Sequence, residues 1–331
     1  MKQPKIIYGR DLIDGVAEKF DSLIVATMRF PWNLVKDRIG GVPAKCILVK
    51  TMEREWVDEV AKSCPRTDVV LGIGGGAAID LAKYIAWRTE AKLVVVPTII
   101  SADAVVTREV AVREGGRVRY VGNKVPDEVL VDYATIQNAP KRLNRAGTGD
   151  ILSIHTALYD WKLASEKNLE EFDEDIAKES KNLLRILRNH SAEIREVTEE
   201  GIKLLMELYL KETELCHNFG SSRPEEGSEH FFAYNLEYLT RKHFLHGEAV
   251  GLGVFLMAHL QNNEPNEIAE IMERIGLNYK PSAVGVTLEE VRKALTTLKK
   301  YVEEEKLPYS VINKADLNNA TIDKLVEKIS G

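Results

Sequence analysis

With 331 residues, the chain is long enough for two domains that each bury a core, and too long for one small module. Its 45 Lys and Arg against 51 Asp and Glu leave a formal net charge of -6, which argues against nucleic acid or an anionic membrane as a partner and for a small molecule. Cys46, Cys64 and Cys216 have no paired spacing, so they read as reduced thiols, not as a disulfide framework or a thiolate metal cluster. The opening MKQPKIIYGRD lacks an apolar signal core and no apolar run is long enough to span a bilayer, so a soluble, cytoplasmic protein is expected.

The first half alternates apolar strand runs with helical patterns. Strands are expected at residues 22–26, 45–49, 69–73, 93–96 and 129–131, a rhythm that builds a parallel α/β sheet. Beyond Pro140 the strand signals stop, and helical patterns cover residues 143–166, 176–210, 229–260 and 288–304. Two domains follow from this change: an α/β domain over residues 1–140 and a helical domain over 141–331. The charged stretch 167–189 reads as solvated helix surface.

The run VVLGIGGGAAIDLA at 69–82 carries the first chemistry. A buried strand ends in Gly74, Gly75 and Gly76 and passes straight into an apolar helix. Glycines let backbone N–H groups approach an anion closely, and the helix turns its positive end to the same place. No Lys-Ser/Thr pair follows the glycines, so the loop lacks the parts of a Walker-type phosphate site. It reads as a cradle for the diphosphate of a dinucleotide. No acid directly follows the early strand run in LIVATMRFPW; Arg29 is available there to meet a 2′-phosphate, which leans towards NADP while leaving NAD open.

A second constellation lies in the helical half. Asp150 opens a helix after Gly147-Thr148-Gly149, and His230 and His246 sit in GSEH and LHGEAVG. Two imidazoles and one carboxylate make a catalytic metal set, because three protein ligands leave a position for water or a substrate oxygen, whereas structural zinc sites close with four.

GIGGGAAID, PTIISAD, AGTGDILS, DWKLA, SSRPEEGSEH and LHGEAVGLG occur in one order, and together they resemble the sn-glycerol-1-phosphate dehydrogenases. These belong to the superfamily of iron-containing alcohol dehydrogenases, glycerol dehydrogenase and dehydroquinate synthase. The resemblance implies a Rossmann-like parallel-sheet domain followed by an all-α domain, and a metal-dependent, NAD(P)-linked exchange between dihydroxyacetone phosphate and sn-glycerol 1-phosphate. It implies Zn2+ or another divalent metal on Asp150, His230 and His246. NADP or NAD would rest on Gly74, Gly75, Gly76, Ala77 and Ala78 and on Thr98 and Ser101, with Thr107 at the usual cofactor serine. Asp103 would meet the substrate, a polyol or polyol phosphate, in a homo-oligomer without nucleic-acid or membrane partners.

Departures from the family pattern bear on the substrate. Ala102 precedes Asp103 where the family reads His or Asn, and Tyr234 replaces the second histidine of GSEHxxxH, one helical turn after His230. A phenol still donates a proton, which makes Tyr234 a candidate catalytic residue alongside Asp103 and Asp150. The segment at 115–132 looks closer to glycerol dehydrogenase. Arg223 and Lys162 are the nearest motif cations for a substrate phosphate. Two other readings stay open: a glycerol or polyol dehydrogenase of the same superfamily, and a dehydroquinate-synthase-like lyase, although the acidic ligand position here is Asp150 and not that family's glutamate.

Overall fold

Strands buried on both faces need unbroken apolar sequence, and the central runs supply it. In a computed structural model of the chain, which describes residues 3–330, the first unit ends at Asn144 and the second begins at Arg145. The first contains β1 (Lys5–Gly9), β2 (Leu23–Thr27), α1 (Arg29–Val35), β3 (Lys45–Leu48), α2 (Arg54–Lys62), β4 (Val69–Gly74), α3 (Gly76–Thr89), β5 (Lys92–Pro97), β6 (Glu109–Glu114), β7 (Arg117–Asn123), β8 (Glu128–Asp132), α4 (Tyr133–Asn138) and α5 (Lys141–Arg145). Six strands form one parallel sheet in the order β1-β8-β5-β4-β2-β3. Ile13, Val25, Leu71, Ile73, Val94 and Val96 lie in one buried cluster against it.

The parallel-sheet expectation holds, with additions. β1 was not expected: it is a half-buried edge strand paired only with β8, so its pattern is weak. β6 and β7 form an antiparallel hairpin. Its turn is Gly115-Gly116, both at positive φ, the conformation that a two-residue hairpin turn requires. In the main sheet the chain runs outward from β2 to β3 and then returns to β4 on the other side of β2. That reversal opens a crevice beyond the carboxyl ends of β2 and β4, where ligands of open α/β sheets bind.

From α6 (Thr148–Glu166) onward the described residues form helices alone: α7 (Glu174–Asn189), α8 (Ser191–Glu196), α9 (Glu199–Phe219), α10 (Ser228–Thr240), α11 (His246–Gln261), α12 (Pro265–Ile275), α13 (Pro281–Val284), α14 (Leu288–Glu305), α15 (Val311–Lys314) and α16 (Asn319–Ser330). α11 is buried along nearly its whole length and packs against α6 and α10. The expected helix at 176–210 is three helices, broken at Asn189–Ser191 and at Val197–Thr198, where Val197 is left-handed and Thr198 caps α9 through Gly201 N–H. The expected helix at 229–260 is two, broken after left-handed Arg241. This break gives His230 and His246 separate helix starts. Among the described residues no helix is long and apolar enough to cross a membrane.

Leu71 is fully buried at the centre of β4. Leu71→Ala is expected to lower unfolding stability by about 2–5 kcal/mol, read by chemical denaturation.

Candidate active site

In the first unit, Gly74 closes β4 at φ 145° and Gly75 is extended, and α3 begins at Gly76 without a side-chain cap. The first-turn N–H groups are therefore left for another acceptor. A Cβ on Gly75 would lie 2.9 Å from Ile99 Cδ1 and 3.5 Å from Ser101 Oγ, while one on Gly76 would meet nothing within 4 Å. Thr98 N–H donates to Gly74 O at 3.1 Å. Gly74 to Ala78 and Thr98 to Ser101 thus form one narrow rim with its open side at Gly76. Exposed Arg29 starts α1, just beyond the neighbouring β2.

Thr107 is tied into a buried network. Its hydroxyl accepts from Lys83 Nζ at 3.0 Å, and Lys83 also donates to Glu109 O at 3.0 Å. Lys83 is fully buried, 3.7 Å from Asp80 Oδ1. Burial pushes its ammonium below the ordinary lysine range, against the pull of Asp80, Asp103 and Glu109. Asp80 is pushed up by its own burial. This buried pair on α3 ties down the segment that follows the short helical turn Asp103–Val105, so Lys83 fixes the stretch carrying Asp103 and Thr107.

In the second unit, Asp150, His230 and His246 offer ligand atoms that all lie within 4.8 Å of one another. His246 Nε2 is 3.3 Å from Asp150 Oδ1, and the two imidazole centroids are 5.3 Å apart. Ligands around one tetrahedral ion with bonds of about 2.0–2.2 Å are separated by about 3.3–3.6 Å, so small side-chain adjustments seat a divalent ion. The donors, two nitrogens and a carboxylate oxygen with no thiolate, suit zinc or iron.

Glycines bring these residues together. Asp150 is in the first turn of α6 and His246 is the first residue of α11. A Cβ on Gly149 would lie 2.4 Å from Gly247 Cα, and one on Gly247 would lie 1.7 Å from Ala146 O. Only side-chain-free residues allow such an approach. A Cβ on Gly253 would likewise lie 2.4 Å from Glu229 O, so α10 is drawn onto α11 beside His230.

Burial alone would depress His230. The hydrogen bond to Glu229 and the charges of Glu226 and Asp150 outweigh it and raise the imidazole to about 9. Tyr234 is buried with its ring 5.9 Å from that of His230. The expected phosphate cations are engaged elsewhere: Arg223 is buried on Glu170 Oε2 at 2.7 Å and Tyr309 O at 2.9 Å, and Lys162 pairs with Glu174 at 2.8 Å. Sequence reasoning missed Glu229, although GSEH places it beside a candidate ligand, and Lys83, whose burial no local pattern signals.

Known proteins resemble this chain in sequence and in fold. Residues 34–140 match the family model of iron-containing alcohol dehydrogenase. The glycerol-1-phosphate dehydrogenase [NAD(P)+] of Aeropyrum pernix is 31% identical, over 85% of this chain and 80% of its own length. That of Pyrobaculum arsenaticum is 34% identical over 72% of each. Among solved structures, a probable glycerol dehydrogenase from Sinorhizobium meliloti superposes with a TM-score of 0.76 at 19% identity, covering 99% of this chain and 97% of its own. Glycerol dehydrogenase from Schizosaccharomyces pombe gives 0.73 at 21%, covering 99% and 89%.

Two outcomes follow from this geometry. Gly75→Val forces a branched side chain against Ile99 and Ser101, and is expected to weaken NAD(P)H binding at least tenfold while the protein stays folded, as read by fluorescence titration. His230 titrates above its ordinary value of about 6.5, so its contribution to stability is complete below that pH and is lost as pH rises through about 9. Metal-stripped protein is expected to lose up to about 3 kcal/mol across this window in pH-dependent unfolding, and His230→Gln is expected to flatten that fall.

Proposed function

The chain belongs to the glycerol-1-phosphate dehydrogenase family within the iron-containing alcohol dehydrogenases, and we propose that it reduces dihydroxyacetone phosphate to sn-glycerol 1-phosphate, and the reverse, using Asp150, His230 and His246 to hold Zn2+. It is a metal-dependent, NAD(P)-linked alcohol dehydrogenase. The observation that carries the residue assignment is the approach of one carboxylate and two imidazoles on glycine-packed helix starts. When bound, the ion supplies Lewis acidity towards a ketone or alkoxide oxygen and the nicotinamide supplies or accepts the hydride.

The remaining work falls to the chain. The Gly74 to Ala78 cradle and the Thr98 to Ser101 strand end receive the diphosphate through backbone N–H groups and the positive end of α3. Arg29, exposed after β2, favours the 2′-phosphate of NADP. Asp103 accepts from a substrate hydroxyl and orients it. Tyr234 Oη gives a proton to the nascent alcohol and recovers it in the reverse direction. Thr107, already an acceptor for Lys83, supports the cofactor segment by fixing its backbone. We assign the protein to the cytoplasm as a homo-oligomer that takes polyols or their phosphates, not nucleic acid or membrane.

One observation keeps an unphosphorylated polyol in view: Arg223 and Lys162 are both bound to carboxylates. Steady-state kinetics with dihydroxyacetone phosphate and dihydroxyacetone decides between the substrates. The expected result is NAD(P)H-dependent reduction of the phosphate ester, abolished by chelation and restored by Zn2+. Exclusive turnover of dihydroxyacetone would move the assignment to a polyol dehydrogenase, and inactivity on both would overturn it.

A further inference from the structure

His230 is gripped from behind by the residue that precedes it. Its Nδ1 lies 2.9 Å from Glu229 Oε1, and the same oxygen accepts from Gly227 N–H at 2.6 Å. The other oxygen, Oε2, accepts from Thr156 Oγ1 on α6 at 2.7 Å. Thr156 is itself held, since Gln261 Nε2 on α11 donates to its carbonyl at 3.0 Å. Glu229 is fully buried, and its carbonyl oxygen sits where a Cβ on Gly253 would collide with it. Successive side chains on a helix ordinarily diverge. Here three helices hold Glu229 so that it turns onto its own neighbour.

A buried carboxylate without a positive or hydrogen-bonding partner is costly. Glu229 has three donors in place, counting the imidazole Nδ1–H. We propose that Glu229 is a positioning residue that fixes His230, through a charge-assisted hydrogen bond, as the Nδ1–H tautomer, leaving Nε2 as the nitrogen that faces the metal set. It touches neither substrate nor cofactor and acts through His230. The proposal rests on the reading that Asp150, His230 and His246 hold a metal.

Asp160 provides the control. It is also buried on α6 near the start of α10, where its Oδ2 accepts from Ser228 N–H at 2.8 Å and its Oδ1 accepts from Val311 N–H at 2.7 Å. It has no hydrogen bond to the imidazole. Removing its charge therefore loosens the same helix start without touching the tautomer of His230.

The test is a Zn2+ competition titration against a chromophoric chelator on the full-length, metal-stripped protein, with thermal unfolding of each variant alongside. Glu229→Gln keeps the shape and removes the charge, and is expected to weaken Zn2+ binding about 10- to 100-fold. Glu229→Leu removes every acceptor and is expected to weaken it at least as much. Asp160→Asn is expected to lower thermal stability while keeping Zn2+ affinity within about twofold of the wild type. Should Glu229→Leu fail to fold, Glu229→Gln decides alone. Wild-type affinity in a folded Glu229→Gln protein would overturn the proposal, as would equal losses in Glu229→Gln and Asp160→Asn. If His230→Ala binds Zn2+ as the wild type does, the metal assignment itself falls, and that result is distinct from failure of the Glu229 role.

Discussion

The close packing of α6, α10 and α11 at Gly149, Gly247 and Gly253 is the constraint on which the candidate centre depends. Each contact brings backbone to within a distance that no side chain tolerates. Asp150 adjoins Gly149, His246 adjoins Gly247, and the Gly253 contact falls on the residue before His230. The three candidate ligands are therefore positioned by main-chain contacts, which are stiffer than side-chain packing and do not drift with rotamer choice. Such rigidity is what a metal site with one open position requires, because three ligands alone do not enforce their own geometry.

The electrostatics of the second unit follow from the same packing. Asp150, Glu229 and Asp160 are all buried near the starts of α6 and α10. Asp160 is pushed up to about 6 by its burial and by the charge of Glu229, and His230 is raised to about 9 by its carboxylate neighbours despite burial. A concentration of negative charge in low dielectric favours any cation that can enter it. Without a metal, the proton on His230 serves as that cation; with one, the proton must leave, which couples metal binding to pH. In the first unit the charges are arranged differently. There Lys83 and Asp80 compensate each other inside the fold, and the cradle itself presents backbone N–H groups and no cation.

Much of this was legible in the sequence because burial writes itself into composition. β2, β4 and β5 are apolar on both faces and read as unbroken runs, and the Gly74 to Gly76 cradle follows directly on one of them. The edge strand β1 and the β6–β7 hairpin are half exposed, so their patterns fade into those of loops, although Gly115-Gly116 marks the turn. The breaks within the two long helical patterns were not readable. They fall at His190 and at left-handed Val197 and Arg241, the last two being residue types that give no warning of a positive φ. The candidate ligand residues were visible through their motifs. Glu229 was not, because its contact with His230 needs a turn of the side chain that only tertiary packing imposes. Arg223, one of the nearest motif cations for a substrate phosphate, is a buried brace on Glu170 and Tyr309, a contact that its motif does not announce.

The central claim is that one divalent ion is held by two imidazoles and a carboxylate from three glycine-packed helices. X-ray absorption at the metal edge of the purified, active protein tests it most directly. The account requires a first shell of nitrogen and oxygen at about 2.0–2.2 Å with the multiple-scattering signature of two imidazoles and no sulfur. A sulfur shell at about 2.3 Å, or a metal without imidazole ligands, would contradict it.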